Sequence, residues 1–164
     1  MYDQIIPPFT RSLKALDTIL SKAEAHCAAK KIDPAVMLTL RLFPDMLPFT
    51  RQITIACDHA KGAAFRIAGA EVPSIPDTEA SFADLHARIA RTLDLLAGFT
   101  PADYTDAPER SVLLKLRSGE LTFPAQVYLS SYAIPNFYFH MTTAYALLRH
   151  NGIELGKADF IGPV

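Results

Sequence analysis

Asn-Phe-Tyr-Phe-His-Met-Thr-Thr-Ala-Tyr-Ala-Leu-Leu-Arg-His-Asn-Gly, residues 136 to 152, carries a histidine at helical spacing within a largely apolar run. At helical spacing His140 shares a face with Asn136, Phe137, Thr143, Ala144 and Leu147, so an imidazole projects along a largely apolar stripe. Gly152 supplies a carboxy-terminal stop, and Pro135 is expected to break or kink the chain just before Asn136. The segment therefore predicts a last helix to about Arg149, packed on its neighbours through the face that carries Asn136 and His140.

Three further long helices are expected upstream. Phe9, Leu13, Leu16, Ile19 and Leu20 recur at three and four residues, which predicts an amphipathic helix to about Ala29 with Pro7 and Pro8 at its start. Asp33-Pro34 signals a short helix that ends before Pro44. Between Leu47 and Ala68 the residues Ala56, Ala60, Ala63 and Ala64 form a small-residue surface that lets a neighbouring helix approach closely, and Gly69 ends that helix. Phe82, Leu85, Ile89, Leu93 and Leu96 mark the clearest amphipathic helix, capped by Asp77 or Thr78 and ended by Gly98.

Before the last helix the pattern changes. Residues 112 to 116 and 120 to 123 read as a short β-hairpin turning at Ser118-Gly119, inserted beside the core, and Pro124 can open a helix carrying Val127, Tyr128, Leu129 and Tyr132. The last dozen residues are expected to lie as a tail over the bundle. The fold class is all-α with a hairpin insertion, in a single domain spanning residues 1 to 164.

Composition narrows the function classes. Sixteen basic and seventeen acidic residues are interspersed and leave a formal charge of −1, which gives no electrostatic footprint for nucleic acid. No apolar run reaches the ~18 residues that span a bilayer, and residues 1 to 8 have neither the basic start nor the apolar core of a secretory signal. A cytoplasmic protein with no nucleic-acid or membrane partner is expected. Cys27 and Cys57 are isolated and read as small buried hydrophobes in helices.

The chemistry that can be read concentrates in two histidines. His59 faces Ile55, Ala56 and Ala63 on its helix, so His59 and His140 both project from faces that packing buries and can meet across two facing helices. They read first as a polar, hydrogen-bonded pair in the bundle core and second as part of a metal or catalytic site. Zinc, nickel or iron would need a third ligand. Asn136 offers only a neutral carbonyl oxygen, and Asp58 lies about 100° around the helix from His59. His26, His86 and His150 read as structural or solvated. No nucleotide-binding glycine motif, zinc-protease motif or nucleophile elbow is present, and the catalytic residues are left unassigned.

The spacing of His140, Arg149 and Gly152 resembles the last helix of the DinB/YfiT-like bundle superfamily. Residues 41 to 49 (Arg-Leu-Phe-Pro-Asp-Met-Leu-Pro-Phe), 56 to 63 (Ala-Cys-Asp-His-Ala-Lys-Gly-Ala) and 135 to 140 (Pro-Asn-Phe-Tyr-Phe-His) are similar to its uncharacterised branch, domain-of-unknown-function family 1993. The resemblance implies a four-helix, up-down-down-up bundle, usually a homodimer, with a divalent metal held by one histidine of the second long helix and two of a His-x-x-x-His on the last. His59 and His140 match the outer metal positions and Asn136 stands at the middle one. Some superfamily members are metal-dependent thiol transferases or hydrolases. With one ligand replaced, the expectation is a His59, Asn136, His140 pocket that binds a small molecule or fills the core. The alternative is a metal-dependent thiol transferase or hydrolase using His59 and His140.

Overall fold

The structure, a computed structural model, describes residues 1–116 and 119–163. Four long helices dominate it: α1 (Tyr2–Lys30), α3 (Phe49–Ala68), α4 (Phe82–Ala97) and α6 (Ile134–His150). Shorter helices are α2 (Pro34–Leu38), α5 (Ala125–Tyr128) and α7 (Lys157–Ile161). A two-stranded antiparallel sheet, β1 (Ser111–Leu116) with β2 (Gly119–Pro124), pairs from Ser111 opposite Pro124 to Leu116 opposite Gly119. Strands 112 to 116 and 120 to 123 therefore form as expected, and the Ser118 half of the expected turn lies outside the described residues.

The principal helix packing is α3 against α6, with α4 against both α1 and α3. Ala56, Ala60, Ala63 and Ala64 are all fully buried, as the small-residue surface requires. Across the core Phe9 of α1 meets Phe137 of α6 with ring centroids 4.7 Å apart. Both cysteines are buried in helices, and burial pushes the Cys57 thiol up to about 12, which leaves it protonated and unreactive. No helix among the described residues is long and apolar enough to cross a membrane.

Several boundaries differ from the sequence expectation. Helix α1 begins at Tyr2 and runs through Pro7 and Pro8. Two intrahelical donors are lost there, but Ile5 and Ile6 are buried and Tyr2 packs edge-on against Tyr104, so tertiary burial outweighs the local cost. Helix α4 is capped by Ser81, not by Asp77 or Thr78: its hydroxyl accepts from Asp84 N–H at 3.1 Å, while the Asp84 carboxylate accepts from Ala80 N–H and the Ser81 hydroxyl. The chain does not break at Pro135. A π-helical turn, Leu129–Ala133, joins α5 to α6 and absorbs the missing donor and the steric bulk of the ring. The expected tail ends in α7, which lies on α1 and is tied there by Lys22 to Asp159 at 2.7 Å.

Asp77 has a different task from capping. Residues 70 to 80 form an extended strap over α3 and α4, and a buried arginine of α4 holds it. Arg88 donates to the Pro76 carbonyl at 3.1 Å, to Glu79 at 2.9 Å and to Asp58 of α3 at 2.9 Å, with Asp77 at 3.4 Å. Asp58 also pairs with the buried Lys61 at 2.9 Å, and Asp77 with Arg51. Burial opposes the charge on Arg88, but Asp58, Glu79 and Asp77 outweigh it and raise its pKa. Arg88→Ala leaves these carboxylates without their shared cation and is expected to cost about 3–5 kcal/mol in urea unfolding, with new protease cutting in the strap. Arg91→Ala, one turn on and exposed, is expected to stay within about 0.5 kcal/mol of the parent.

Candidate functional site

The close approach of α3 and α6 brings His59 and His140 together. Their ring centroids lie 5.9 Å apart and the ring planes are inclined by only 15°. Both imidazoles are half-buried. Tyr132, in the π-helical turn, sets its ring against His59 with centroids 5.8 Å apart, and Phe139 stands edge-on to His140 at 5.2 Å with its own ring exposed.

Each imidazole is further fixed by its surroundings. His140 Nδ1 lies 2.7 Å from Oε1 of Gln52, a buried side chain two turns before His59 on α3. The other end of that amide donates from Nε2 to the Leu47 carbonyl at 2.9 Å. Asn136 lies half-buried one turn before His140 and donates from Nδ2 to the Tyr132 carbonyl at 2.7 Å. Its amide thus closes the first turn after the π-helical segment, on the residue whose ring touches His59.

Two positive charges stand near this cluster. Arg66, two helical turns beyond His59, donates to the Tyr128 hydroxyl at 3.1 Å, and Tyr128 in turn stacks on Tyr132 at 5.8 Å. Gly62 makes room for that guanidinium, because a Cβ there would collide with it. Burial, the neighbouring His140 and Arg66 push the His59 pKa down to about 4, with Asp58 opposing. Burial and Arg51 lower that of His140 as well. Both rings are therefore neutral at pH 7, each with one nitrogen lone pair.

Of the residues singled out from sequence, His59 and His140 are brought together and Asn136 joins them through Tyr132. Asp58 turns away to Arg88 and Lys61, as its angular offset on α3 implies. His86 pairs with Asp17 at 2.5 Å on the far side of α4, and His150 is exposed at the end of α6. Gln52 carries no local sequence signal of a functional residue beyond its seven-residue separation from His59, which places both on one helical face. Among the described residues no three His, Cys, Asp or Glu side chains gather in a way that could hold a metal ion. Two imidazoles and one neutral amide oxygen do not complete a donor set for zinc, nickel or iron. A cavity of about 380 Å³ opens on the neighbouring side of α3, lined by Asp58, Lys61 and Arg66 with Val72 to Ile75 of the strap.

The model of the family described as "Domain of unknown function (DUF1993)" matches residues 1–161. A solved structure, the crystal structure of a DinB family member protein from Shewanella denitrificans, superposes with a TM-score of 0.90 at 40% sequence identity. The match covers 99% of this chain and 92% of that one. No curated protein matches the chain.

Keeping His59 neutral in the folded state has a measurable consequence. Its folded pKa is depressed below 6.5, so the stability it contributes is complete above about pH 6.5 and is lost as pH falls toward 4, where the unfolded chain binds the proton first. Between pH 7 and pH 4.5 His59→Gln is expected to lose about 2 kcal/mol less unfolding free energy than the parent, measured by urea titration at both pH values.

Proposed function

This chain belongs to the DUF1993 family, and from that premise we propose that His59, Asn136 and His140 form a small-ligand pocket between α3 and α6. One observation carries the proposal: two neutral, half-buried imidazoles from different helices meet at 5.9 Å, beside an exposed aromatic ring and, among the described residues, with no carboxylate pairing either. A purely structural pair would be better served by full burial with both ring nitrogens satisfied. The half-open position leaves lone pairs for a ligand. We include in the proposal the up-down-down-up order of the four long helices and a homodimer. The exposed Phe43 and Leu42 of the α2–α3 loop and Phe139 of α6 supply apolar area for a second copy.

The alternative is a metal-dependent thiol transferase or hydrolase using His59 and His140. The observation favouring it is the Gln52 bond to Nδ1 of His140, since a ligating imidazole ordinarily has its other nitrogen held by an outer partner. The donor set argues against it, because the third position offers only an amide.

Elemental analysis of untagged protein after incubation with zinc, nickel or iron(II) and exhaustive dialysis separates the two. We expect less than about a tenth of an equivalent of any metal, and near-stoichiometric retention would establish the alternative. A fragment screen read by NMR is expected to shift the His59 and His140 ring signals. A fragment present at a hundredfold its Kd should raise the unfolding free energy by about 2.7 kcal/mol, an increment that His59→Ala with His140→Ala abolishes. Light scattering should return twice the chain mass; a monomer at micromolar concentration rejects the dimer.

A further inference from the structure

The geometry points to Gln52 as a positioning residue that holds His140 as its Nδ1–H tautomer, so that Nε2 is the unprotonated atom turned to the ligand. The inference rests on the pocket proposed above and adds the state in which one of its groups is offered. Its basis is a chain of donors and acceptors in which only one assignment is consistent.

The chain starts at the Leu47 carbonyl, just before α3, which can only accept. The amide of Gln52 lies 2.9 Å from it and must therefore present its NH2 group there. The Gln52 oxygen consequently faces the other way, 2.7 Å from Nδ1 of His140. An amide oxygen can only accept, so the proton of the neutral ring resides on Nδ1. Gln52 is buried, and a flipped amide would set its NH2 against a ring nitrogen while its oxygen faced the Leu47 oxygen, two buried lone pairs opposed. No hydrogen bond reaches Nε2 of His140 among the described residues, so its lone pair is free.

Asn136 is oriented by the same logic. Its NH2 donates one hydrogen to the Tyr132 carbonyl, which leaves Oδ1 and the second N–H open. Both groups that α6 contributes to the pocket then offer an acceptor. Such a wall recognises a ligand through N–H or O–H donors, and Gln52 is the residue that keeps His140 in that role.

The test is a two-bond 1H–15N correlation spectrum of histidine side chains in the full-length, ligand-free protein at pH 7.5, where tautomer is read directly from which nitrogen is protonated. The parent is expected to show His140 with a protonated Nδ1 and an unprotonated Nε2. Gln52→Leu, which removes the acceptor, is expected to move His140 toward the Nε2–H form. Gln52→Glu, which retains an acceptor, is expected to keep Nδ1 protonated while its carboxylate favours a second proton at Nε2. A parent spectrum with protonated Nε2, or a folded Gln52→Leu protein that keeps Nδ1–H unchanged, overturns the assignment. Should Gln52→Leu not fold, the parent and Gln52→Glu spectra decide alone. Because the spectrum needs no ligand, a failed tautomer assignment is distinguishable from a failed pocket, which only the fragment and metal measurements address.

Discussion

The close packing of α3 on α6 governs the arrangement of the candidate site. Ala56, Ala60, Ala63 and Ala64 of α3 are fully buried, and side chains that small let neighbouring helices come close, so the polar side chains at the edges of the α3–α6 seam are carried near one another. His59 and His140 meet for that reason, and Gln52 reaches across to His140 although 88 residues separate them in the chain. Larger residues in the seam would widen it by a fraction of a side chain, enough to break a 2.7 Å hydrogen bond while leaving the helices themselves intact.

The π-helical turn is the second geometric device, and it follows from a proline. Pro135 cannot donate to the turn before it, and a regular helix would set its ring against the preceding carbonyl. One wider turn at Leu129–Ala133 relieves both problems without ending the helix. It also brings the Tyr132 ring onto His59 and leaves the Tyr132 carbonyl for the Asn136 amide. A backbone defect required by one residue thereby arranges the wall of the candidate site.

Much of the helical layout was legible in sequence because it rests on local periodicity: the stripes of α3, α4 and α6, the Gly69 stop, the Asp33-Pro34 start and the hairpin all follow from spacing and turn chemistry. Legibility failed where long-range contacts overrule local preference. The prolines near the start of α1 mark a helix beginning only if Ile5 and Ile6 have nothing to pack on, and they do. Asp77 reads as a cap until Arg88 claims the strap, and Ser81 takes its place. Arg88 itself lies on the buried stripe one turn after Leu85, a signal that periodicity registers only as an exception. For the site, the two histidines were legible from their apolar faces, but Gln52 was not, since nothing local distinguishes a buried amide with two partners from a solvated one.

The division of α3 into two polar edges explains why its histidine stays neutral. On one edge Asp58 and Lys61 turn toward Arg88 in α4, where a buried cation binds the acidic groups of the strap. On the other, Gln52 and His59 turn toward α6. Had Asp58 pointed at His59, its carboxylate would have drawn a proton onto the imidazole and made a charged pair of it. Committed instead to Arg88 and Lys61, it offsets only part of the cost of burial, and the positive charges of Arg51 and Arg66 work in the same direction as that cost. The charged edge of α3 thus fastens the strap, and by holding Asp58 away it leaves the opposite edge with uncharged imidazoles whose lone pairs remain available.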